Sequence, residues 1–100
     1  MIVNTFSTRI ITLIGHFNVN VKMTDEVTYY ISNLLSEDRA VLKADYQQHL
    51  SRHEMDESLF FRATACDAKD ETSARKFFED VYKYAFEGGE EPDVTNYWNR

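Results

Sequence analysis

Two periods of apolar residues divide this chain. In residues 8–22, TRIITLIGHFNVNVK, Phe17, Val19 and Val21 alternate with Asn18, Asn20 and Lys22. A period of two marks a strand. Gly15 separates this run from the apolar stretch Ile10 to Ile14. The pattern predicts a β-hairpin turning near Gly15–His16, or at least an extended segment, over residues 1–22. An isolated hairpin is marginal in water, so it is expected to pack on the rest of the chain or pair with another chain.

From residue 23 the period becomes helical. The 72 residues from His16 to Glu87 contain neither Gly nor Pro, which excludes an all-β arrangement with its frequent turns. Four helices are predicted within residues 23–87. Thr24 is a suitable N-cap for the first, followed by Asp25 and Glu26 and by a stripe of Val27, Tyr30, Ile31, Leu34 and Leu35. Ser36 caps the second, whose core face is marked by Leu42, Tyr46 and Leu50. Asp56 caps a short third helix running to about Asp67, with Leu59, Ala63 and Cys66 on one face. The fourth starts near Asp70 or Thr72 and stops at Gly88. Met23 before Thr24-Asp25-Glu26 also resembles a second start, which would leave the helical part to fold alone.

The fourth helix has the widest apolar arc. Ala74, Phe77, Phe78, Val81, Tyr82, Tyr84, Ala85 and Phe86 cover about 200° of its circumference. One neighbouring helix cannot cover that arc. Either the chain packs on both flanks, or part of the arc is an interface with a second copy or a partner. Phe61, opposite Leu59 and Ala63, raises the same question. Phe77, Val81 and Leu34 lie mid-stripe and are the expected core. The fold class is therefore mainly α. It is read as one domain, residues 1–100, with a hairpin or extended segment (1–22), a helical core (23–87) and an acidic-aromatic tail (88–100).

Composition supports a folded chain. Hydrophobic residues are 43% of the 100 and charged residues 28%, enough for a core and too few charges for disorder. One Cys excludes an internal disulfide and suits a reducing cytoplasm. No apolar run is long enough to span a membrane, and the acid-free N-terminus lacks the plan of a secretory signal.

The net charge is −6, with twelve acids and six bases in residues 54–100. Such a surface repels phosphate backbones, which argues against direct nucleic-acid binding, and attracts a basic partner. The alternative is that the charge only keeps the chain in solution. Glu79 and Asp80 lie on the polar side of the fourth helix, and Glu87, Glu90, Glu91 and Asp93 follow its end. Tyr97 and Trp98 either anchor a partner beside these acids or fold back on the core.

Candidate chemistry is sparse. Asp45, His49 and His53 follow at i,i+4 spacing, and two His so spaced can bind one metal. The H-E-x-x-H pattern is absent, and a zinc site would need further ligands such as Asp45 and Cys66. His49 and His53 are therefore read as structural, with metal binding or a pH-sensitive contact as alternatives. Cys66 on an apolar face reads as a small hydrophobe. No Gly-rich phosphate loop, nucleophile elbow or EF-hand loop is present, so neither an enzyme nor a cofactor is expected.

The leading expectation is a small acidic cytoplasmic protein that occupies a basic surface on a larger protein and inhibits or regulates it. Phage inhibitors of host defence, nuclease immunity proteins and antitoxins are chains of this type. The alternative is a homodimer or larger homo-oligomer assembled through the aromatic face of the fourth helix. A His-based metal or small-ligand site comes third.

Overall fold

A computed structural model describes residues 6–18 and 26–99. Five α-helices lie within them: α1 (Thr8–Gly15), α2 (Glu26–Ser32), α3 (Ser36–Ser51), α4 (Glu57–Thr64) and α5 (Glu71–Glu87). A short 3-10 turn, Val94–Asn96, follows. No strand occurs among the described residues, and one isolated antiparallel bridge joins Ala68 to Trp98. The chain is mainly helical, as its second period predicts.

The N-terminal hairpin is the main correction. Residues 8–15 form a helix, and the turn assigned to Gly15–His16 is that helix's end. The Ser7 side chain accepts from the Ile10 N–H and caps the start. Ile10, Leu13, Ile14 and Phe17 fall at i, i+3, i+4 and i+7 and are all buried. That stripe packs on α4 and α3, and its burial overrides the strand preference of the β-branched residues. Residues 1–5 and 19–22 of the expected hairpin or extended segment, and the Thr24 cap, lie outside the described residues. A chain starting at Met23 would lack these four core side chains, so the helical part is not complete without α1.

The remaining helices follow their caps. Asp56 accepts from the Leu59 N–H and Asp70 from the Ser73 N–H, fixing the starts of α4 and α5. Ser36 is already helical. The N-cap of α3 is Leu35, which makes no side-chain cap bond. α4 ends at Thr64 because Ala65 turns left-handed, φ 66°, so Cys66 lies beyond the helix and off the Leu59–Ala63 face.

α5 runs through the centre, packed by α3, α4 and α2. Phe77 is its hub. The rings of Phe17, Phe60, Phe78 and Tyr97 stand 5.0–5.4 Å away at 70–89°, the edge-to-face arrangement aromatic pairs prefer. The buried Tyr46 hydroxyl of α3 donates to the Phe78 carbonyl oxygen at 2.7 Å. Phe77 and Val81 are buried as expected, whereas Leu34 is only half-buried. The wide arc of α5 is covered by this chain itself, with Tyr84 and Ala85 half-buried at its edge. Phe61 stays 51% exposed.

Candidate functional site

The left-handed Gly88 (φ 71°) ends α5 and reverses the chain. The N–H groups of Gly88 and Gly89 both donate to the Lys83 carbonyl oxygen. A Cβ at Gly89 would stand 3.1 Å from that of Lys83, a crowded contact that glycine avoids on the return path. Residues 89–99 then run back along α5 as a strap.

Between strap and helix lies an open groove of about 350 Å³. Asp80 and Lys83 line it from α5, and Glu90, Glu91, Asp93, Asn96 and Tyr97 line it from the strap. Four carboxylates thus face one lysine across a narrow space. Glu90 and Glu91 are exposed, while Asp93 also accepts from the Thr95 N–H and hydroxyl.

Asp80 is already engaged. Its carboxylate accepts from the Tyr97 hydroxyl at 2.6 Å and from the Lys76 ammonium at 2.9 Å. Burial alone would raise its pKa, but these two donors outweigh it and hold the carboxyl below the ordinary value. The same contact, added to burial, pushes the Tyr97 phenol far up. Lys76 rises in turn because it donates to Asp80.

The structure brings together Asp80, Glu90, Glu91, Asp93 and Tyr97. Glu79 and Glu87 are exposed on α5 and do not line the groove. Tyr97 and Trp98 do not form one anchor. Tyr97 faces Asp80 and Phe77, whereas Trp98, half-buried, lines a separate cleft with Ala65, Cys66 and Asp67. Sequence reasoning missed Lys83 and Asn96 as groove residues. Lys83 carries a visible signal, one turn beyond Asp80 on the same helix.

The two histidines sit in different surroundings. His49 places Nδ1 2.6 Å from Glu54 Oε1 and Nε2 3.5 Å from Asp45 Oδ1, with the Phe6 ring 4.5 Å from its own. His53, with φ 58°, is exposed beyond the end of α3. Among the described residues no three His, Cys, Asp or Glu side chains are grouped to hold a metal. Burial and the neighbouring Asp67 raise the Cys66 thiol, which disfavours the thiolate. No helix among the described residues is long and apolar enough to cross a membrane.

Comparison with protein families, with characterised proteins and with solved structures gives no match.

Proposed function

We propose that the protein is a non-catalytic binding protein that inhibits or regulates a larger protein by presenting its acidic groove and rim to a basic surface. The observation that supports this reading is the convergence of Asp80 from α5 with Glu90, Glu91 and Asp93 from the strap around a single Lys83. Like charges brought together cost stability, so their concentration at one groove fits a role in recognition. Exposed Glu79 and Glu87 extend the same field along α5. Such a field speeds encounter with a cationic surface and is screened by salt. Self-association through α5 has less support, since the chain's own helices cover that arc.

The test is affinity capture from a host lysate at low and high salt, comparing the wild type with a Glu79→Lys/Glu90→Lys/Glu91→Lys variant. Asp93 is left intact because it holds the turn at Thr95. The expected outcome is a basic protein retained by the wild type at low salt and lost from the variant. The same proteins retained equally by both would overturn the reading, and so would retention unaffected by salt.

A further inference from the structure

We infer that residues 89–99 are a strap that opens as a unit while the helical core stays folded, with the Tyr97–Asp80 hydrogen bond as its latch. Between residue 89 and Asn99 the buried side chains are Pro92 and Val94; Tyr97 and Trp98 are half-buried and the others exposed. Hydrogen bonds hold it at several points, among them a long 3.5 Å bond from the Tyr84 hydroxyl to Glu91. The Lys69 N–H donates to the Tyr97 carbonyl oxygen at 2.9 Å, and the Asn99 N–H donates to that of Asp67 at 2.7 Å. The Lys69 ammonium adds a bond to the Asn96 carbonyl oxygen, and Tyr97 closes on Asp80. Val94 joins the core, and Tyr97 and Trp98 pack against it, but seven of the eleven residues are exposed, and so mostly solvent-facing a segment opens at lower free energy than the whole molecule.

The hinge is already built. Gly88 sits in the left-handed region, where the backbone pivots without a Cβ penalty. Across the groove the strap's carboxylates face Asp80, a repulsion that favours lifting and that Lys83, together with the Lys76 and Tyr97 contacts to Asp80, offsets in part. Opening carries Glu90, Glu91 and Asp93 away from α5 and removes one wall of the groove. The acidic groove is then a property of the docked strap. This inference concerns the free protein and stands whether or not a basic partner exists.

Native-state hydrogen exchange tests it on the full chain. The Lys69 and Asn99 amides are expected to exchange together, faster than those of Phe78 and Val81, and with a weaker dependence on denaturant because less surface opens than in global unfolding. Tyr97→Phe keeps the ring and removes the latch, so it should speed both strap amides about tenfold. Ile10→Val weakens the core where α1 meets α4 and α3, and should speed the core amides several-fold while leaving the Lys69 and Asn99 amides unchanged. The inference is overturned if Ile10→Val speeds strap and core amides equally, since the strap would then open only by global unfolding. It also fails if Tyr97→Phe leaves the strap amides at their wild-type rate.

Discussion

The helix α1 and the strap 89–99 both pack on the core, but by different means, α1 against α4 and α3 and the strap along α5. α1 carries no acid and buries Ile10, Leu13, Ile14 and Phe17 at 2% exposure or less. Each such side chain contributes about 1.5–3 kcal/mol by leaving water. The strap buries Pro92 and Val94, lays the Tyr97 ring against Phe77, and adds hydrogen bonds, each worth about 1 kcal/mol net. Apolar burial makes α1 inseparable from the core. The strap has fewer buried side chains and more directional polar contacts, which suits a segment that holds carboxylates in place at a surface.

The sharpest way to break this contrast is Phe17→Ala. The Phe17 ring meets the edge of Phe77 at 5.4 Å, so truncation should cost about 3–5 kcal/mol in urea unfolding. A loss below about 1 kcal/mol would show that α1 is no more integral than the strap.

Tyr97→Phe should cost less, about 1–2 kcal/mol, because the hydroxyl donates to a charged but partly exposed carboxylate. Its signature is a change in pH dependence. Asp80 is lowered in the folded state, so its contribution is present above the ordinary carboxylate range and lost as pH falls through the folded value. Tyr97 is raised, so its contribution is intact below about pH 10 and lost as the pH rises further, when the unfolded phenol ionises first. Thermal unfolding from pH 3 to 11 should show both slopes reduced in the variant. The buried Tyr46, also raised, keeps an alkaline slope in either protein. Identical profiles for the two proteins would remove Tyr97 as the latch.

The helix starts offer a smaller test. Asp56→Ala removes the acceptor for the Leu59 N–H and should cost about 1 kcal/mol. At α3 the cap is the exposed Leu35, without a side-chain bond. Leu35→Ser should therefore gain a few tenths to about 1 kcal/mol. A destabilised Leu35→Ser would mean that this side chain has a packing role its 73% exposure does not reveal.

These positions show what could be read before folding. Asp56, Asp70 and Gly88 are local signals, and the ends they mark are where the structure has them. The stripe of α5 was equally legible, because an amphipathic helix writes its burial into its own period. α1 was not. Its residues prefer strands locally, and only the partners supplied by α3 and α4 turn Ile10, Leu13, Ile14 and Phe17 into a helical face. The site divides the same way. The acids of residues 79–93 stand out as composition, but their meeting depends on the reversal at Gly88 and on a contact between Tyr97 and Asp80, 17 residues apart. That contact also turns Tyr97 inward, which no local pattern encodes.

The smallest expected effect bears most directly on what the strap is for. Glu90→Lys/Glu91→Lys replaces two exposed carboxylates on the groove wall, touches no cap, and removes one long bond, that from the Tyr84 hydroxyl to Glu91 at 3.5 Å. Surface substitutions of this kind change stability by about 0.5 kcal/mol or less. The sign is informative. In the wild type these side chains share a groove with Asp80 and Asp93, so lysines there should relieve repulsion and stabilise the protein slightly at low ionic strength. The gain should fade above about 0.5 M salt, where charges a few ångström apart are screened. Urea midpoints at the two salt concentrations measure it. A variant less stable than the wild type at low salt would mean the carboxylates serve the fold. A small stabilisation would mean that the strap carries them against its own docking, and their use must then be sought outside the chain.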